Sequence, residues 1–145
     1  MAWKLYTCDI SGKSAQVLVD RGYEKKAPII ELSHLSWFGI YCNEAPGNSF
    51  WNPIETEALN EIEDDFLKIC EAFGHGRVVY VLRIATAGIR AYYIYHSDKA
   101  EIIQVFESLK AVHPTYRIEM DTMDDPEWNG YRKYVSFIVG KKSML

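Results

Sequence analysis

Long apolar runs are missing from this chain: no stretch approaches the roughly 18 residues a membrane-spanning helix requires. Cysteine is scarce and odd in number. Cys8, Cys42 and Cys70 lie far apart with no Cys-x-x-Cys pair, which argues against a disulfide-stapled secreted domain and for a reducing, cytoplasmic setting. The opening Met1-Ala2-Trp3-Lys4-Leu5-Tyr6 has no basic segment followed by an apolar one, so no secretory signal is expected. Nine glycines and five prolines are too few for a fibrous or low-complexity chain. Positive charge is in deficit, 16 Lys and Arg against 20 Asp and Glu, and the resulting −4 argues against nucleic acid as a partner.

Familiar chemical motifs are absent too. No Gly-x-Ser-x-Gly, metalloprotease or dinucleotide-binding pattern occurs, and Gly74-His75-Gly76 follows a helix where a phosphate loop would precede one. His34, His75, His96 and His113 show no ligand spacing, and His34 in a strand reads as a structural residue. Asp121, Asp124, Asp125 and Glu127 do not follow the spacing of a calcium loop. The sequence therefore predicts no metal site and no cofactor. Near the end of a helix, Cys70 is badly placed for a thiolate, and all three cysteines read as buried structural thiols.

What the chain does contain is enough apolar residue, 48% of 145, for one domain over residues 1–145, and an aromatic share of 14% with ten tyrosines. Trp3 to Cys8 and Ala15 to Val19 read as strands around the turn Asp9 to Lys13, with Asp20 to Ala27 a surface connection. Ile29 to Cys42 reads as one long strand in which Gly39 marks a bulge or bend, and Asn43 to Trp51 as a loop. Asn52-Pro53-Ile54-Glu55 carries the cap, first-position proline and reach-back glutamate of a helix start. Leu59, Ile62, Phe66, Ile69, Cys70 and Phe73 then recur at helical spacing until Gly74 and Gly76. Val78 to Ala85 and Arg90 to Tyr95 form a hairpin around Thr86 to Ile89. A second helix, capped near Ser97 or Asp98, buries Ile102, Phe106 and Leu109 and stops at Pro114. Tyr116 to Asp121 reads as a strand, Asp125-Pro126-Glu127-Trp128 opens a short third helix held by Trp128 and Tyr131, and Val135 to Val139 reads as a last strand. From residue 29 onward the order is strand, helix, strand, strand, helix, strand. That predicts an α+β fold with a ferredoxin-like split βαβ core, two helices on one face of an antiparallel sheet, an N-terminal β-hairpin and a short C-terminal helix.

Four segments resemble a known family, the bacterial domain of unknown function 695. They are Leu59-Asn60-Glu61-Ile62-Glu63-Asp64, Tyr80-Val81-Leu82-Arg83, Gly88 through Tyr95, and Asp125-Pro126-Glu127-Trp128-Asn129-Gly130-Tyr131. With the opening strand pair they cover nearly the whole chain. Leu82 and Ala85 stand where the family pattern favours Gly and Thr, and its Leu-Tyr-Pro ending is missing. The resemblance implies no established activity.

The hairpin holds the sharpest candidate site. Strict alternation across an even loop puts Val79, Val81, Arg83 and Ala85 on one face with Arg90, Tyr92 and Ile94. The more apolar face, with Val78, Tyr80, Leu82, Ile84, Ala91, Tyr93 and Tyr95, is then expected under the helices, leaving Arg83, Arg90 and Tyr92 on the open side. Two guanidiniums beside a ring suit a carboxylate or phosphate. The competing expectation is that Arg83 and Arg90 pair with acids such as Glu31 or Asp125. The first helix carries −6 over residues 55–71, with Glu61, Asp64 and Asp65 either a surface for a basic partner or a solvated face. These features predict a non-catalytic binding or regulatory domain recognising a protein partner or a small anionic ligand. The alternatives are a small enzyme gripping an anionic substrate through Arg83 and Arg90, and homodimerisation through an open sheet face.

Overall fold

Two tight turns set the register of most of the sheet. Ser11-Gly12 and Ala87-Gly88 each place consecutive residues at positive φ (52° and 80°; 53° and 78°), the twist that suits two-residue hairpins, with glycine where the larger angle falls. In the computed structural model, which describes residues 2–43, 53–74, 77–97 and 99–138, they join β1 (Trp3–Ile10) to β2 (Lys13–Asp20) and β4 (Val78–Thr86) to β5 (Ile89–His96). With β3 (His34–Tyr41) and β6 (Arg117–Asp124) they form a six-stranded sheet in the order β1-β2-β4-β5-β3-β6, antiparallel throughout. The helices are α1 (Pro53–Gly74), α2 (Lys99–Val112) and α3 (Asn129–Ile138). The protein is thus α+β, and none of these helices is long and apolar enough to cross a membrane.

Both faces of the sheet carry helices. Leu59, Ile62 and Phe66 of α1 and Ile102, Val105 and Leu109 of α2 pack on Phe38, Ile40, Tyr92 and Ile94. Trp128, Tyr131 and Ile138 pack on Tyr6, Val17, Leu82 and Tyr95 from the other side. Burial of these apolar surfaces supplies most of the folding free energy, at roughly 25 cal/mol per Å² removed from water.

Several expectations are corrected. The long strand starts only at His34, because Leu32 turns back onto the Ile29 carbonyl, and the carbonyls of Leu32 and Ser33 serve the Trp128 indole and the Asp125 backbone instead of a ladder. Gly39 marks no bulge: the ladder runs through it on both sides, and its missing Cβ leaves the space that the benzo end of the Trp37 indole occupies. β6 runs on to Asp124, which lies opposite His34. The expected strand from Val135 is helix as far as Ile138, because Tyr131, Tyr134, Val135 and Ile138 recur at helical spacing and together meet the core. The third helix begins at Asn129, later than Pro126 suggested. The carboxylate of Asp125 nonetheless caps it, accepting from the backbone N–H groups of Asn129 and Gly130 at 2.8 and 2.9 Å. Asn52, Gly76, Asp98, Val139 and most of the Asn43–Trp51 loop lie outside the described residues.

Candidate functional site

As the even hairpin loop required, Arg83 lies opposite Tyr92 and Ala85 opposite Arg90. The alternation fails further along β4. A bulge between Tyr80 and Leu82 adds one residue, so Tyr80 joins the arginine face while Val81 and Leu82 both turn to the other. The larger correction concerns which face is open. The face of Arg83, Arg90 and Tyr92 is the one that α1 and α2 cover, and the set headed by Leu82 and Tyr95 lies under α3. Apolar count misled because an arginine stem and a tyrosine ring pack as well as leucine when the charge finds a partner.

That partner is Glu63 on the inner side of α1, rather than Glu31 or Asp125. Arg83 donates to Glu63 Oε1 at 2.7 Å, while Arg90 lies 3.6 Å from the same oxygen and donates to Asn60 Oδ1 at 2.9 Å. The side chains are 16%, 5% and 15% exposed for Arg83, Arg90 and Glu63. Burial pulls both guanidiniums down, but Glu63 together with Tyr80 and Tyr92 outweighs it at Arg83, which ends above its ordinary value. Arg90, farther from the carboxylate and repelled by Arg83, ends below. The Tyr92 ring lies 4.7 Å from Phe66, and Tyr80 stands edge-on to both. The hydroxyls of Tyr80 and Tyr92 are buried with no hydrogen-bond partner among the described residues, and burial holds both phenols well above their ordinary range.

The acids of α1 divide by direction. Glu55 is buried, accepting from the Asn43 backbone and the Tyr116 hydroxyl at 2.6 and 2.8 Å. Asp65 bonds His113 Nε2 at 2.7 Å and ties α1 to the end of α2. Glu57, Glu61, Asp64 and Glu71 remain exposed. Beside them runs a groove of about 550 Å³ that the sequence did not reveal. Trp3, Leu18 and Tyr80 line its strand side, and Glu63, Leu67 and Glu71 its helix side. It exists because β1 and β2 extend the sheet past α1. The available signal was a strand apolar on both faces: Trp3 and Leu5 half-buried on one, Tyr6 and Cys8 buried on the other.

The family model for a family of unknown function, DUF695, matches residues 1–136. The chain belongs to that family. No curated protein matches it. In this DUF695 chain the resembling segments meet around two places: α1, β4 and β5 around Glu63, and the Asp125–Tyr131 segment around Tyr95. There the Tyr95 ring stacks on Trp128 at 3.9 Å and its hydroxyl donates to Asp125 at 2.6 Å.

Two histidines that looked isolated also meet. His34 lies opposite His96, with ring centroids 5.7 Å apart. His34 bonds Asp124 at 2.8 Å, and Ser36 Oγ lies 2.7 Å from both His96 Nε2 and Thr122 Oγ1. Ser36 and His96 are fully buried, and the cluster ties three strands together. Among the described residues no group of three or more His, Cys, Asp or Glu side chains is arranged to hold a metal ion.

Proposed function

We propose that this protein is a non-catalytic, cytoplasmic binding and regulatory domain, and that the groove between α1 and the β1–β2 face receives a basic, apolar-anchored segment of a partner protein. The carrying observation is an apolar floor beside exposed acids: no basic side chain is among the described residues that line the groove, Glu71 stands exposed on its helix wall, and Glu61 and Asp64 stand exposed on the same helix. Such a rim steers a cationic chain while Leu67, Leu18 and Trp3 bury its apolar residues. The three free cysteines support a reducing compartment. The order β4-β5-β3-β6, with α1 and α2 on one face, supports reading residues 34–124 as a ferredoxin-like split βαβ core extended by the β1–β2 hairpin.

A labelled amphipathic Leu/Lys peptide tests this, with a Leu/Glu peptide as control. Anisotropy should rise with the basic peptide only and weaken with added salt. Replacing Glu61, Asp64 and Glu71 by their amides should cost about tenfold or more in affinity. Equal binding of both peptides, or no effect of the three amides, would overturn the reading.

Two guanidiniums on one carboxylate, next to two buried tyrosine hydroxyls without partners among the described residues, favour a second reading. A small carboxylate or phosphate entering the groove would displace Glu63 and be held by Arg83, Arg90 and Tyr92. Inorganic phosphate should then raise the melting temperature of the protein but not that of a folded Arg83→Ala/Arg90→Ala variant. A double variant that no longer melts cooperatively assigns the arginines to the fold alone.

A further inference from the structure

On the face that α3 covers, the helix packs on β1, β2 and β4, its first turn meets Leu35 and Tyr95, and its Tyr134 lies beside Tyr93 of β5 at 6.0 Å between rings. Beyond Tyr93 the sheet continues as a shelf of β3 and β6 residues. On it lies a cleft of about 240 Å³ lined by Leu35, Trp37, Tyr93, Asp121 and Met123. Trp37 and Tyr93 are half-buried and Asp121 is exposed directly opposite Trp37. The Tyr93 ring packs against the Tyr134 ring of α3 on one side and forms one wall of the cleft with Trp37 on the other. Asp121 accepts from the Thr122 backbone at 2.9 Å and forms no ion pair among the described residues. The cleft therefore joins an aromatic wall to a carboxylate that has no ion pair among the described residues.

Further along the same ladder the chain shows what such a pairing binds. Arg117 lies opposite Tyr41, with its guanidinium carbon 4.1 Å from the ring centroid. It bonds Glu119 at 2.6 Å, and Glu119 in turn accepts from the Tyr41 hydroxyl at 2.8 Å. Aromatic ring, guanidinium and carboxylate thus form a closed unit there. At Trp37 the ring and the carboxylate recur without the cation.

We propose that the cleft between Trp37 and Asp121 binds a guanidinium group, with the aromatic walls meeting its face and Asp121 its charge. The group could come from an arginine side chain of a protein or from a free guanidinium compound, since the recognised chemistry is the same. The site lies on the opposite side of the sheet from the α1 groove and does not depend on it. At this volume it holds one side-chain head rather than a folded segment.

The test follows the indole N–H of Trp37 by ¹⁵N NMR, its signal assigned by loss in Trp37→Leu. The probes are N-acetylarginine amide and methylguanidinium, against N-acetylcitrulline amide and sodium chloride at matched ionic strength. Both guanidinium probes should shift the signal saturably while citrulline and salt leave it. A stronger response to the amide points to a protein arginine, a stronger one to methylguanidinium to a free compound. Asp121→Asn should weaken binding about fivefold and Asp121→Lys should abolish it, and Trp37→Leu, read at Tyr93, should weaken it about tenfold. Because Asp121 is exposed, its variants keep the fold and the test does not rest on Trp37 alone. No shift in the native protein, an equal shift with citrulline, or unchanged binding by Asp121→Lys would overturn the proposal.

Discussion

Replacing Glu63 by glutamine should cost far more stability than replacing Arg90 by methionine, although both act on the same cluster. Among the described residues Glu63 pairs with both Arg83 and Arg90, and all three side chains are at most 16% exposed. Glu63→Gln leaves two guanidiniums facing each other in a poorly solvated site. Breaking a buried pair from one side costs about 3–5 kcal/mol, and the solvent-touching edges of Glu63 and Arg83 put the loss near the lower figure. At this chain length roughly 2–4 °C of melting temperature go with each kcal/mol, so a fall of about 6–12 °C is expected. Arg90→Met works the other way. It removes a buried guanidinium whose charged form burial and Arg83 already disfavour, and leaves Arg83 paired with Glu63. Asn60, on the exposed side of α1, recovers its lost bond from water. The net change should stay within about 1 kcal/mol of zero. Urea denaturation followed by circular dichroism, with calorimetry, measures both. If Arg90→Met loses as much as Glu63→Gln, or if Glu63→Gln is neutral, the charge imbalance drawn here is wrong.

Three further outcomes follow from particular contacts. Gly39→Ala should destabilise by about 1–3 kcal/mol, because its Cβ would lie 2.1 Å from the Trp37 ring, and a changed Trp37 environment should be visible in the near-ultraviolet circular dichroism. The Cys70 thiol, pushed up to about 12 by burial, stays protonated at every pH at which the fold is ordinarily handled. Its alkylation by iodoacetamide at pH 8 should therefore track global unfolding, and fast labelling of the native protein at Cys70 would contradict this. Asp125→Ala removes the cap of α3 and the acceptor of the buried Tyr95 hydroxyl together, so a loss of about 2–4 kcal/mol is expected in the same denaturation assay.

Much of the fold was legible because local signals agreed with it. The α1 face from Leu59 to Phe66, the two-residue turn at Ala87-Gly88 and the cap at Asp125 are each set by residues close in sequence. What was missed depended on tertiary contacts. The bulge at Val81 changes which face Tyr80 joins, and no residue there announces it. Val135 and its neighbours have strand-like side chains, yet Tyr131 and Ile138 bury only if the segment is helical. The arginine pair was found as a unit, but its burial depended on Glu63 pointing inward from an otherwise acidic helix. The groove depended on β2 pairing with β4, a long-range contact that no sequence spacing encodes.

The central claim, that the groove beside α1 is a docking surface for a basic segment, is tested most directly by amide NMR with the Leu/Lys peptide. The perturbed resonances should cluster at Trp3, Leu18, Glu63, Leu67 and Glu71, with saturable shifts that shrink when salt is raised. Shifts scattered over the acidic surface without saturation, or confined to the opposite face of the sheet, would contradict it.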